Sequence, residues 1–336
     1  MPESEARRPY TVVGGGAIGG TIAFHLARAG HPVSIVDTDA AHVAAITDRG
    51  MTLRGPEGEE SVELPAFLPG EAPPELGRVL LAVKAQATED VLPWLESRLA
   101  QDGFVVSLQN GLNERLIASF VGENRTVGAF VNLFADVVEP GVVRDGGLGA
   151  LVVGEPAGRI SDRVEQVVAD LQAWGPAKAT ANVEGYLWAK LGFGAMLTAT
   201  ALADAPMADL IDRHRGVMYA LAAEVFATAG ERILEPFDQF DPTAYLPDAA
   251  GREEATDRLV AWLRTQPKDR SGIWRDIAVR HRPVEVHHHY APVLAEAESR
   301  GVAVPLLRAM LQRLHEVETG AVTMSESHLA ELERGL

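Results

Sequence analysis

The chain of 336 residues contains no cysteine. Disulfides, thiolate metal centres and a cysteine nucleophile are thereby excluded, and a reducing compartment fits. Lysine is scarce as well: the basic side chains are arginines except for Lys84, Lys178, Lys190 and Lys268. A genomic preference for arginine codons explains most of that bias. The few lysines still stand out, because lysine can hand over a proton near neutral pH and arginine cannot. Lys84 and Lys190 both lie in apolar sequence. No apolar run approaches the roughly 20 residues that cross a bilayer, and the opening Met1–Arg8 lacks the apolar stretch of a signal peptide. Positive charge is in deficit, with 30 Lys and Arg against 47 Asp and Glu, a formal net charge of −17. Such a surface repels phosphate backbones. The expectation is a cytoplasmic protein that acts on a small molecule, with neither nucleic acid nor membrane as a partner.

What is present is an ordinary globular composition, 47% apolar, in a chain long enough for two domains. The first half alternates short β-rich runs with helical patterns, which indicates α/β architecture with a parallel sheet. Tyr10–Val13, Pro32–Val36, Val79–Val83, Phe104–Leu108 and Val127–Val131 read as strands, and Ala17–Ala29 as a helix stopped by Gly30. Gly50 to Pro74, rich in Gly, Pro and Glu, reads as hairpin and loop. After about Lys178 the pattern becomes helical: Val183–Ala203, Gly216–Ala229, Glu253–Thr265, Val284–Arg300 and Pro305–Thr319. The proline-bearing stretch Glu235–Pro247 between them reads as loop. We therefore expect a first domain over 1–178 and a helical domain for substrate binding and dimerisation over 179–336.

The most informative motif follows the first strand. Gly14-x-Gly16-Ala17-Ile18-Gly19 leads directly into a helix. In such a turn the first glycine bends the chain, the second admits a pyrophosphate against the backbone, and the third lets helix and strand pack closely. Free N–H groups and the dipole at the helix start favour the phosphates. Asp37 ends the second strand, where a carboxylate can accept hydrogen bonds from ribose hydroxyls and would repel a 2′-phosphate. No arginine follows in Thr38-Asp39-Ala40-Ala41-His42 to offset that charge. NAD is expected over NADP; FAD is the other ligand of such turns.

Several separated motifs, in order, resemble the ketopantoate reductases (2-dehydropantoate 2-reductases). They are Gly14-x-Gly16-x-x-Gly19-Gly20, Val83-Lys84-Ala85, Gln109-Asn110-Gly111, Trp188-x-Lys190-Leu191, Ser271-Gly272-Ile273 with Asp276, Arg282-Pro283-Val284-Glu285-Val286, and Gly301-Val302-x-Val304-Pro305. The resemblance covers most of the chain. It implies an N-terminal Rossmann-type doubly wound sheet followed by an all-α C-terminal domain, with the active site in a cleft between them and hydride transfer between a nicotinamide and a 2-keto or 2-hydroxy acid. It assigns Lys190 as general acid, Glu285 to the substrate hydroxyl, and Lys84 and Asn110 to the neighbourhood of the nicotinamide. A homodimer is expected. Residue chemistry alone agrees in part. A cationic donor near a carbonyl oxygen offsets the charge that develops on it, although a lysine on such a helix can equally cover core with its stem and reach water with its head. Asn110-Gly111 can likewise be an ordinary turn.

The substrate end departs from the family. Residues four and eight on from Lys190 share its helix face; they are Gly194 and Thr198 where the family usually has asparagines, and Gly272 replaces a serine. Gly194, Thr198 and Ser271 are the expected substrate-binding positions, with helix capping the competing role of Ser271. Lost hydrogen-bonding groups change selectivity by orders of magnitude, so the expected substrate is bulkier or less polar than ketopantoate. Asp37 departs too, since the family commonly prefers NADPH. No metal is expected: His287-His288-His289 are consecutive on a helix and point to different faces, and His289 more naturally pairs with Glu285 four residues back. Two other readings stay open, an NAD-dependent 3-hydroxy acid dehydrogenase-like enzyme and a non-catalytic dinucleotide sensor.

Overall fold

The computed structural model describes residues 8–56, 58–147, 149–247, 249–266 and 268–335. The chain divides into two compact units, Met1–Val183 and Glu184–Leu336. That division falls later than the expected break after residue 178, because the last strand of the first unit, Ala177–Ala179, straddles position 178 and pairs with Ala150–Gly154.

The first unit runs β1 (Tyr10–Val13), α1 (Ala17–Arg28), β2 (Val33–Val36), α2 (Ala40–Arg49), β3 (Met51–Gly55), β4 (Gly58–Val62), β5 (Ala66–Phe67), β6 (Leu76–Leu81), α3 (Thr88–Glu96), β7 (Leu99–Ser107), α4 (Glu114–Val121), β8 (Thr126–Asn132), β9 (Ala135–Glu139), β10 (Val142–Asp145), β11 (Ala150–Gly154), α5 (Asp162–Leu171) and β12 (Ala177–Ala179). Eight strands form one sheet in the order β12-β11-β8-β7-β6-β1-β2-β5. Every neighbouring pair is parallel except β11 against β8. Side chains alternate across a strand, and here both faces are apolar. Val12, Leu80, Phe104 and Val106 pack with Ile22 and Leu26 of α1 and Val164 and Val167 of α5. Val13, Val79, Leu81 and Val105 pack on the other side with Leu92 and Leu95 of α3 and Ile117 and Val121 of α4. The sheet is therefore doubly wound, the Rossmann arrangement. A smaller sheet, β4-β3-β10-β9, lies against α1. The expected hairpin is its β3–β4 pair; the parallel pairing of β10 with β3 joins segments far apart in the chain and has no local signal.

The second unit is helical: α6 (Val183–Thr200, beginning at the division), α7 (Met207–Arg213), α8 (Arg215–Ala229), α9 (Arg252–Thr265), α10 (Gly272–Ala278), α11 (Val286–Arg300), α12 (Pro305–Glu318) and α13 (Ser327–Glu333). The five long helices match expectation; α7, α10 and α13 have seven residues each, too few to show periodicity. Gly192 lets α6 approach α8, since a Cβ there would strike the Phe226 ring. The Glu224 carboxylate of α8 accepts the N–H groups of Leu306 (3.0 Å) and Leu307 (2.7 Å), capping α12 from a neighbouring helix. Burial raises its pKa, and those two N–H groups oppose the rise. No described helix is long and apolar enough to cross a membrane.

One polar cluster ties the sheet to α5. Asp170 accepts hydrogen bonds from Tyr10 (2.7 Å), Arg78 (3.0 Å) and Gln166 (3.0 Å). Both Asp170 and Arg78 are largely removed from solvent. Removing one partner of a buried pair strands the other charge, at about 3–5 kcal/mol. Asp170→Ala is expected to lower unfolding stability by that amount in urea titrations; a loss below about 1 kcal/mol, the value of an exposed pair, would refute the role given to the cluster.

Candidate active site

In the first unit the glycine turn is built by steric exclusion. Gly14 has φ +96°, and a Cβ there would lie 2.7 Å from the Val83 nitrogen. A Cβ on Gly19 would collide with the Gly14 carbonyl oxygen. Gly16 is different: a Cβ there would meet nothing within 4 Å. Packing thus requires Gly14 and Gly19, whereas the space over Gly16, the N-cap of α1, is open. No side chain caps that helix and its first turn, Ala17 and Ile18 included, carries no acid, so its start is electrostatically receptive to an anion. The Asp37 carboxylate accepts from the N–H of Gly15 (2.7 Å) and of Asp39 (2.9 Å). Those two bonds fix both oxygens beside the turn and leave each a further lone pair for a hydroxyl donor.

Sequence reasoning missed the turn's other support. His42 is buried. Its Nδ1 accepts from the Gly141 N–H (3.1 Å), which makes Nε2 the protonated nitrogen, donating to the Gly15 carbonyl at 2.9 Å. The imidazole thereby ties the glycine turn to the loop between β9 and β10. A motif reader passes over it because its partners are backbone groups far away in sequence.

A cavity of about 600 Å³ opens beside the turn, lined by Gly14, Gly16, Asp37, Thr38, Lys84, Asp90 and Trp94 among others. Among the described residues that line it, Asp37 and Asp90 are the carboxylates and Lys84 is the cation. Its size and open glycine suit a dinucleotide's phosphates and adjoining ribose. Lys84 stands just beyond β6, at the carboxyl end of the sheet where ligands gather in such folds. Asn110 is exposed beyond β7, its carbonyl accepting from the Asn113 side chain (2.9 Å), and Gly111 turns the chain at φ +92°. Between them Gln109, another residue to which the sequence assigned no role, donates to the Val83 carbonyl (3.0 Å) and the Thr88 hydroxyl (2.7 Å). It holds the segments that bear Lys84 and Asn110.

In the second unit Lys190 stands in the middle of α6, half-buried. Burial pulls its ammonium down to a pKa of about 8, with Asp238 pulling the other way. Asp238 sits at the tip of the turn joining Phe237 and Phe240, at φ +47°. Both phenylalanines are anchored on Phe193 of α6, with ring centroids 6.0 and 5.0 Å away. The expected loop is therefore a pinned hairpin turn that supplies the acid for Lys190. The sequence could not show this, because Asp238 is distant along the chain and α6 itself offers no acid after Lys190.

The substrate-end positions fare unevenly. Gly194 leaves room for Tyr290 of α11, whose hydroxyl would be 3.1 Å from a Cβ at 194 and donates to the Leu191 carbonyl at 2.7 Å. Thr198 is buried, and its hydroxyl donates to the Gly194 carbonyl at 2.7 Å. Its proton is thus committed inside the helix next to Tyr290, which leaves the hydroxyl only its acceptor lone pairs for a ligand. Ser271 accepts from the Trp274 N–H (3.2 Å) as the N-cap of α10; of its two expected roles, capping is the one observed. Asp276 accepts from Arg280 and Arg282, each at 3.0 Å, and so closes the segment leading to Glu285. Glu285 is the N-cap of α11, with the expected His289 contact at 3.7 Å. The three consecutive histidines do diverge: His289 meets Glu285, while His287 turns towards Glu318.

The open space at Gly16 gives a test that separates ligand approach from packing. Gly16→Ala should fold with an unchanged Tm yet weaken nicotinamide cofactor binding at least about tenfold, the equivalent of roughly 1.4 kcal/mol. Unchanged cofactor affinity would mean that the phosphates do not pass there.

Comparison with known proteins follows the same division. Residues 10–158 match the family described as ketopantoate reductase PanE/ApbA, and residues 182–318 match its C-terminal model. A 2-dehydropantoate 2-reductase of Streptococcus pyogenes is 25% identical over 312 residues, covering 91% of this chain and 97% of its own. That of Mesorhizobium japonicum is 32% identical over 224 residues, covering 57% and 68%. Among solved structures, a PanE/ApbA family ketopantoate reductase from Ralstonia eutropha aligns with TM-score 0.76 and 26% identity, covering 93% of this chain and 99% of that one. D-mandelate dehydrogenase in complex with NADH and anilino(oxo)acetate aligns with TM-score 0.79 and 21% identity over the same shares. With the glycine turn, the strand-end lysine and asparagine, and the helical lysine all in the matched regions, the chain belongs to the ketopantoate reductase family of NAD(P)-dependent oxidoreductases.

Proposed function

We propose that this oxidoreductase interconverts a 2-keto acid and its 2-hydroxy acid with NAD, on a substrate bulkier or less polar than ketopantoate. The observation that carries the proposal is Lys190, an amine whose pKa of about 8 lets it both give and take a proton near neutrality. When bound, the nicotinamide would supply a hydride to the carbonyl carbon in reduction, or take one from the hydroxyl-bearing carbon in oxidation. Lys190 donates the proton to the carbonyl oxygen during reduction and removes it from the hydroxyl during oxidation. Glu285 would orient a substrate hydroxyl, Asn110 and Lys84 would hold the nicotinamide end of the cofactor, and Gly14, Gly16, Ala17, Ile18 and Gly19 would hold its pyrophosphate. Preference for NAD is supported by Asp37 at the end of β2, whose carboxylate would repel a 2′-phosphate, with no arginine among the described residues that line the cavity. The altered substrate is supported by Gly194 and Gly272, which offer no side chain, and by Thr198, whose hydroxyl is already engaged. That D-mandelate dehydrogenase, an enzyme named for an aromatic hydroxy acid, shares the fold fits such a substrate. The homodimer and the cytoplasmic setting expected from the sequence are kept in this reading.

Two experiments test it. Lys190→Met should keep its fold and lose kcat by about 10²- to 10⁴-fold, the usual contribution of a positioned proton donor. The native enzyme should reduce more slowly as pH rises through about 8, where the lysine loses its proton, and oxidise faster over the same range. Near-full turnover by the variant, or the same inflection in its residual activity, would remove Lys190 from the role. Separately, kcat/KM measured side by side should favour NADH over NADPH by at least about tenfold; the opposite preference would overturn the part given to Asp37.

A further inference from the structure

We infer that the second unit holds a site for a divalent transition metal of the zinc class, formed by His287, His315 and Glu318. The expectation of no metal rested on the three consecutive histidines, which cannot converge by themselves. The partners instead come from another helix. His287 lies in the first turn of α11, and His315 and Glu318 lie three residues apart at the end of α12. One donor atom from each falls within 4.8 Å of the other two. The Glu318 Oε2 is 3.6 Å from His287 Nε2 and 3.7 Å from His315 Nδ1, and the two rings meet nearly edge to face, with centroids 5.6 Å apart.

Three features favour an ion over a simple charge cluster. First, the carboxylate is oriented before any ion arrives: its Oε1 accepts the Val284 N–H at 2.8 Å, which leaves Oε2 towards the imidazoles. That is the outer-shell support a ligating carboxylate needs. Second, His287 Nε2 is shut away from solvent and has no hydrogen-bond partner among the described residues, although buried ring nitrogens are ordinarily satisfied. The separations of 3.6 and 3.7 Å are too long for hydrogen bonds. A cation bound by the nitrogen's lone pair answers that vacancy. Third, ligands at about 2.0–2.1 Å from a tetrahedral zinc lie roughly 3.3 Å apart, so small side-chain rotations bring these atoms onto one ion. Two imidazoles and one carboxylate suit Zn²⁺ and its neighbours in the series over Mg²⁺ or Ca²⁺, which prefer all-oxygen sets. The fourth position is left to water. None of the three residues belongs to the set proposed to carry the redox reaction, so the site can fail or hold independently of it. By joining the first turn of α11 to the end of α12, the ion would clamp the two helices together.

The test uses untagged full-length protein stripped with a chelator and titrated with Zn²⁺ by calorimetry, with Co²⁺ as a spectroscopic probe. The expected result is one equivalent per chain, a rise in Tm as metal is added, and visible Co²⁺ bands typical of nitrogen and oxygen ligands in a tetrahedral field. His315→Ala, at a side chain 54% exposed and so tolerant of truncation, should weaken binding at least about 10- to 100-fold, as much as losing outer-shell support does. Glu318→Gln should do the same, and exposed His288→Ala should leave binding unchanged. No saturable binding by the native chain, full affinity in His315→Ala, or equal losses in His288→Ala and His315→Ala would each overturn the site.

Discussion

The first unit depends on a steric constraint at one point: α1 recrosses the end of β1 with no room for a Cβ at positions 14 and 19. Two consequences follow. The start of the helix stands at the carboxyl edge of the sheet with uncapped N–H groups, and the backbone there is bare enough for phosphate to approach. The crossing is then braced from two sides by polar groups, Asp37 on the Gly15 nitrogen and His42 on the Gly15 carbonyl. The cavity opens beside that arrangement, with Gly14 and Gly16 in its lining. A binding surface made of backbone also explains why few side chains in this region carry recognisable chemistry.

The second unit organises its chemistry differently. Its central amine is tuned by what surrounds it. Desolvation on α6 pulls the Lys190 pKa down, and a single acid on an aromatic-pinned turn limits the fall. The two phenylalanines on Phe193 therefore do electrostatic as well as packing work, because they set where Asp238 can sit. The same economy recurs at α12, whose start is capped by Glu224 from a neighbouring helix, and at α11, whose lead-in segment is held by Glu318.

Much of this was legible in the residues. β1, the turn, α1 and Asp37 could be read because their signals are local: a buried apolar run, three glycines at fixed spacing, and an acid at a strand end. The long helices of the second unit were legible through periodicity. The small sheet was not, since β4 is exposed along nearly its whole length and carries no alternation, and β10 finds β3 from far along the chain. Among site residues, Lys190 could be singled out by type and setting, but Asp238, His42 and Gln109 could not, because each acts through a partner that sequence order does not reveal. The engagement of Thr198 was hidden for a related reason: a hydroxyl on a given helix face says nothing about whether its proton is already held by the backbone.

The fit of Tyr290 against Gly194 has an evolutionary corollary. A side chain restored at 194 would first meet the tyrosine hydroxyl, which is itself bonded to the α6 backbone at Leu191. The two positions are therefore epistatic: a larger residue at 194 is tolerable only after 290 has yielded, and a change at 290 alone opens a void beside a glycine. Any lineage moving between glycine and a polar side chain at 194 must cross that two-step ridge, and its intermediates are the less stable forms. Divergence at this helix face is accordingly easier to preserve than to reverse.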